Sequence, residues 1–190
     1  MHLVRTSAQM KAADANTIDK GLPSLVLMER AALSVLEGIR SEDLDLSRAL
    51  VLCGPGNNGG DGAAVARLIA EEGYIPSIKL FGKPEKFSDE LKQQLSLLNN
   101  YEVNYTEDID PDGYSLVIDC VFGIGLKREI TGEIAETFER INVSDVPVVS
   151  VDIPSGLDAD TGMILGCALF ADITVGISDA KPGYFICDGK

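Results

Sequence analysis

Five glycines, two asparagines and an aspartate crowd into nine residues, Gly54-Pro55-Gly56-Asn57-Asn58-Gly59-Gly60-Asp61-Gly62. An apolar run at 49–53 precedes them and a helix-forming run at 63–70 follows. A strand, a glycine turn and a helix can cradle a phosphate. Glycines let backbone N–H groups approach the anion, and the helix N-terminus adds partial positive charge. Gly54, Gly56 and Gly59 match the dinucleotide fingerprint G-x-G-x-x-G, a weak signal alone. The acid that should follow about 20 residues later, at the end of the next strand, is missing. The strand predicted over 75–81 ends in Gly82-Lys83-Pro84 instead. Either this is no ordinary Rossmann dehydrogenase, or the glycines simply make a tight turn. The doubled Asn and doubled Gly before Asp61 are far more particular.

Two other apolar runs end in oxygen-bearing residues beside glycine. One carries Asp119 and then Gly123-Ile124-Gly125-Leu126-Lys127-Arg128; the other carries Asp152 and then Pro154-Ser155-Gly156. A lone Asp at a strand end is usually a turn or cap residue. Three such ends on one sheet edge argue for a site. The single histidine, His2, excludes a Ser-His-Asp triad, a Cys-His pair and a His-rich metal site. Any acid–base chemistry falls to carboxylates.

The elements that must position these residues alternate. Thr6-Ser7-Ala8-Gln9 fits a capping box opening a helix that Gly21 and Pro23 terminate. A second helix spans 24–40, with Leu25, Met28, Ala32, Val35, Leu36 and Ile39 on one stripe. Strand 49–53, helix 62–72 stopping at Gly73, strand 75–81 and helix 88–98 capped by Ser88 follow. A weak strand at 103–105 precedes a buried strand at 116–122, a helix at 131–141, a strand at 147–153 and a last strand at 172–177. This order predicts one domain over 1–190: a three-layer α/β/α Rossmann-like sandwich with a central, mostly parallel sheet. Ligands of such sheets bind beyond the carboxyl ends of strands, where strand order reverses.

Length and charge bound the function. The 190 residues (20.3 kDa, 45% hydrophobic) support one full core. No apolar run approaches a membrane span, and the start lacks a signal-peptide core, so the expected location is cytoplasmic. A formal charge of −14 argues against nucleic-acid and anionic-membrane partners. Residues 101–160 hold most of it, with 14 acids against 3 bases. An anionic ligand must then be held by backbone donors and local Lys or Arg. Cys53, Cys120, Cys167 and Cys187 form no C-x-x-C pair and are expected as reduced, mostly buried thiols. Leftover apolar positions in the first two helices suggest a homodimer face.

Taken together, the 54–62 stretch, Asp119-x-x-Phe122-Gly123-Ile124-Gly125 and Val151-Asp152-Ile153-Pro154-Ser155-Gly156-Leu157-Asp158 resemble the YjeF N-terminal family, the NAD(P)H-hydrate epimerases. Leu27-Met28-Glu29-Arg30-Ala31-Ala32 and Ala180-Lys181-Pro182-Gly183 fit it too, so the resemblance covers nearly the whole chain. It implies interconversion of the R and S forms of NADHX or NADPHX, hydrated at nicotinamide C6. An ATP- or ADP-dependent dehydratase, fused or separate, then repairs the S form. The resemblance assigns Asn57, Asn58, Gly59, Gly60 and Asp61, with Ile124, Gly125, Leu126, Lys127, Arg128 and Glu129, to the hydrated dinucleotide. Asn58, Asp119 and Ser155 are assigned to a potassium ion, and Asp152 to the nicotinamide end. Inverting C6 requires breaking and remaking a bond to OH or ring nitrogen, with a proton donor and acceptor nearby. With histidine excluded, Asp152 is the first candidate and Asp61 the second. The alternatives are a non-catalytic ligand-binding or interaction scaffold and an NAD-dependent oxidoreductase. The intact Asn-Asn-Gly-Gly-Asp turn and the acids at 119 and 152 speak against the first. The missing ribose-binding acid speaks against the second.

Overall fold

A computed structural model describes residues 3–189; His2 lies outside them. Six strands form one sheet in the order β3-β2-β1-β4-β5-β6. They are β1 Ala49–Cys53, β2 Ser77–Leu80, β3 Asn104–Tyr105, β4 Leu116–Cys120, β5 Val148–Val151 and β6 Ile173–Val175. Every pairing is parallel. The sequence runs outward from β1 to β3, then jumps back to β4 beside β1. The β1/β4 boundary is therefore the switch point of a doubly wound sheet.

Period-two alternation along buried strands explains the layers. Ala49, Val51 and Cys53 face one core with Leu116, Ile118 and Cys120; Leu50 and Leu52 face the other with Val117. Helices α2 (Ser24–Ser41) and α3 (Asn57–Glu71) cover the first face through Ala32, Val35, Ile39, Val65 and Ile69. Helix α4 (Asp89–Leu98) packs beside α3 through Leu91 against Ala63. The second face carries α5 (Glu133–Asn142), whose Phe138 and Ile141 meet Leu126, Ile130 and Leu169 of two loops. Helix α1 (Ser7–Asp19) has the expected capping box at Thr6 but buries only Ser7 and Met10.

Several boundaries differ from the sequence reading. Strand β1 has the expected bounds, and the other strands are shorter at one or both ends; after β4 and β5 the residues that leave the ladder form the site loops. The 62–72 helix begins instead at Asn57, so the supposed glycine turn is largely the first turns of α3. Close packing accounts for it. A Cβ on Gly54 would lie 1.8 Å from the Val121 carbonyl oxygen, and one on Gly59 would lie 1.8 Å from that of Gly54. The spacing of these glycines follows from helix backbone seated directly on strand backbone. The cysteines are all free, but only Cys53 and Cys120 are buried; Cys187 is exposed. Among the described residues, no helix is long and apolar enough to cross a membrane.

Candidate active site

A cleft of about 1010 Å³ opens at the carboxyl ends of β1, β4 and β5. Its floor is the start of α3 and the loop after β4, and its far wall comes from α1 and α2. Asn57, Asn58, Asp61, Ile124, Gly125, Leu126, Lys127, Arg128 and Asp152 all line it. Gly59 and Gly60 do not: Gly59 abuts the Gly54 backbone, and Gly60 abuts Met28. Glu129 is exposed and faces a small neighbouring pocket instead. Asp119 and Ser155 are fully buried behind the floor.

The entry to α3 suits an anion. Gly56 is its N-cap, and no side chain caps the first turn. Free N–H groups there and the helix dipole favour phosphate. Lys127 stands at the rim, 3.3 Å from Asp158 Oδ2 and 3.7 Å from Asp160 Oδ2. Lys11 and Arg30 line the far wall.

The carboxylates fall into two groups. Asp119 accepts from Ser155 Oγ (2.6 Å), Ser155 N (2.8 Å), Ser150 Oγ (2.9 Å) and Val121 N (3.2 Å). Burial raises its carboxyl above the ordinary value, and those bonds oppose the rise. Ser155 Oγ also touches Phe122, at 2.8 Å from N and 3.2 Å from O. Asn58 is almost fully buried, and its Nδ2 has no partner.

Asp61 and Asp152 belong to the second group, joined by Asp14 of α1. Burial, then the charges of Asp152 and Asp14, push the half-buried Asp61 carboxyl well above its usual range. Burial and the charge of Asp152 raise Asp14 too, while Lys181 pulls it back. Asp152 stands just past β5 at φ +71°, a left-handed conformation that Asp tolerates at some cost. Its N–H donates to Val175 O, and its carboxylate pairs with Lys181.

Sequence reasoning missed three contributors: α1 as a cleft wall, Asp14 and Lys181. Asp14 lies on a helix with little apolar pattern, which gave no signal. Lys181 was visible as a cation directly after a strand segment, but only the fold places it beside Asp152.

Fold and site together define a doubly wound α/β protein with a carboxylate-lined cleft of dinucleotide size at its switch point. The profile of the family described as YjeF-related protein N-terminus matches residues 24–183, and the chain belongs to that family. A relative from Oenococcus oeni named NAD(P)H-hydrate epimerase is 45% identical over 188 residues, covering 97% of this chain and 90% of its own. Another of that name from Levilactobacillus brevis is 40% identical over 187 residues, covering 97% and 87%. The crystal structure of yeast Ynu0 superposes with a TM-score of 0.80 at 25% identity, over 95% of this chain and 82% of that one.

Proposed function

We propose that this protein is an NAD(P)H-hydrate epimerase, an isomerase that interconverts the R and S forms of NADHX or NADPHX at nicotinamide C6. One observation carries the chemistry: Asp61 and Asp152 share the cleft, one carboxyl pushed toward its protonated form and the other paired with a cation. Unlike environments for two carboxyls are the usual signature of an acid and a base. The shared name of the bacterial relatives, matched over 87% and 90% of their own length, supports the substrate.

In the proposed reaction, the Asp61 carboxyl gives its proton to the C6 hydroxyl. The C6–O bond breaks, the ring-nitrogen lone pair forms C6=N, and water leaves. Water then returns to the opposite face of C6, the C=N pair goes back to nitrogen, and Asp152 accepts the proton. Atoms and charge balance once the two acids re-equilibrate. The pyrophosphate lies at the start of α3, with Lys127 and Arg128 beside it.

Potassium fits the residues behind the floor. Asn58, Asp119 and Ser155 would hold it, offering one carboxylate among neutral oxygens. The buried, partnerless end of the Asn58 amide becomes an oxygen donor there when the amide turns over. The ion would supply fixed positive charge beneath the loop that carries Phe122 and Gly123. The proposed setting is the cytoplasm, beside a dehydratase that consumes the S form.

The test mixes R-NADHX with the protein and follows the S form by chromatography, with Asp152→Asn in parallel. Turnover by the wild type and a loss of at least ~100-fold in the variant are expected. Absence of S-form production above the spontaneous rate defeats the assignment.

A further inference from the structure

Lys181 is fully buried, yet it is a charged residue with no place in the chemistry above. Burying an ammonium is costly unless it is paired and hydrogen-bonded. Here every direction is used. The Nζ pairs with Asp152 Oδ1, donates to Ile177 O at 2.8 Å, and lies 5.7 Å from the centroid of the Tyr184 ring. Tyr184 in turn donates its hydroxyl to the Asp152 backbone carbonyl. Lys181 does not line the cleft, so it does not reach substrate.

The ammonium meets the Asp152 carboxylate at Oδ1. Asp152 Oδ2 lies against Gly123 on the cleft floor, where a Cβ would sit 3.2 Å from it. The backbone is held as well. Asp152 N is bound to Val175 O, and the segment bearing Lys181 is clipped to the N-terminal residues by Arg5 N to Ala180 O (2.9 Å) and Ala180 N to Leu3 O (3.1 Å). Left-handed backbone at Asp152 would relax if this frame were loose.

We infer that Lys181 is a positioning residue for the proposed epimerisation: by occupying Oδ1 it fixes the Asp152 carboxylate so that Oδ2 alone faces the substrate. This rests on the reading of Asp152 as the proton acceptor. The dependence is one of geometry, since Lys181 acts only through Asp152. An enzyme lacking it binds dinucleotide normally and turns it over slowly, because misplacing a reacting group by about 1 Å can cost ~100-fold.

The test is a double-mutant cycle on the full chain. Lys181→Gln keeps donors for Ile177 O and Asp152 but no charge; Lys181→Arg keeps the charge. Rates of R-to-S conversion, the Kd of NADP+ and the thermal midpoint are measured for both, for Asp152→Asn and for Lys181→Gln/Asp152→Asn. Lys181→Gln is expected to lower kcat ~10–100-fold with KM and the NADP+ Kd within about threefold of wild type. Lys181→Arg recovers part of that loss. In the Asp152→Asn background the Lys181→Gln change adds nothing further. The inference is overturned if Lys181→Gln keeps the wild-type kcat, or if its effect multiplies with that of Asp152→Asn. It is equally overturned if both Lys181 variants unfold while Asp152→Asn stays folded, which makes Lys181 a structural strut. Near-normal turnover by Asp152→Asn beside a slow Lys181→Gln sinks the reading of Asp152 instead, so the two failures separate.

Discussion

Ser155 gives two hydrogen bonds to one carboxylate: its hydroxyl donates to Asp119 Oδ1 at 2.6 Å and its backbone N–H to Oδ2 at 2.8 Å. The contact ties the end of β4 to the loop after β5, directly beneath the cleft. With Ser150 and Val121 also donating, Asp119 satisfies four buried donors. Asp119→Ala strands the N–H groups of Val121 and Ser155 and the Ser150 hydroxyl, and each buried unsatisfied group costs about 1–3 kcal/mol. We expect a loss of about 3 kcal/mol or more in urea denaturation, with Asp119→Asn milder because it keeps the shape. Equal stability of Asp119→Ala and wild type would show that the knot is not structural.

Potassium should stabilise the fold if it sits at this knot. A ligand that binds only the native state, present at 100 times its Kd, adds about 2.7 kcal/mol. Melting the wild type in potassium chloride and in tetramethylammonium chloride at equal ionic strength reads this directly. We expect a higher midpoint in potassium and no difference in Ser155→Ala. Identical midpoints for the wild type in both salts remove the ion from the proposal.

Asp61 ought to cost stability at neutral pH. Its native carboxyl holds a proton more tightly than in the unfolded chain, because of burial and then the charges of Asp152 and Asp14. The native state therefore binds more protons above the unfolded value, and stability falls as pH rises from about 4. Asp61→Asn removes that penalty. It should melt higher than wild type at pH 7, with the gap closing below about pH 4, and epimerise more slowly. A gap that stays constant with pH contradicts the environment described for Asp61.

Glycine at 59 is required by contact and glycine at 56 is not. A Cβ at Gly59 meets the Gly54 carbonyl oxygen at 1.8 Å, whereas nothing lies within 4 Å of one at Gly56. The clashing partner is backbone, not a side chain that could move. Gly59→Ala is expected to lose about 3 kcal/mol or more, at or beyond the upper end of overpacking costs. Gly56→Ala should stay within about 1 kcal/mol. Paired urea melts decide it, and a tolerated Gly59→Ala would refute the close seating of α3 on β1.

Much of the architecture is legible in the chain because its signals are local. Alternating buried runs and striped helices announce a parallel sheet, and Thr6, Ser88 and Gly73 mark the helix ends where they occur. The carboxyl-end residues Asn58, Asp119, Asp152 and Ser155 stand out because each follows or ends an apolar run beside glycine. What the glycines do at 54–62 was not legible: a phosphate turn and a helix packed on a strand require the same residue, and only the contacts with Val121 and Gly54 distinguish them. Strand order was likewise open, since periodicity says that strands exist and nothing about which are neighbours. The pairing of β4 with β5 is what brings Asp119 to Ser155, and the order β1-β4-β5 is what brings Asp61 near Asp152. Lys181 lies 29 positions beyond Asp152, in a stretch with no helical or strand period. Its burial and charge pairing exist only once β5, β6 and the N-terminal residues Leu3–Arg5 have closed around it. Local pattern determines which elements form and where carboxylates can stand. Long-range packing decides which of them share one field, because electrostatic coupling depends on distance in space.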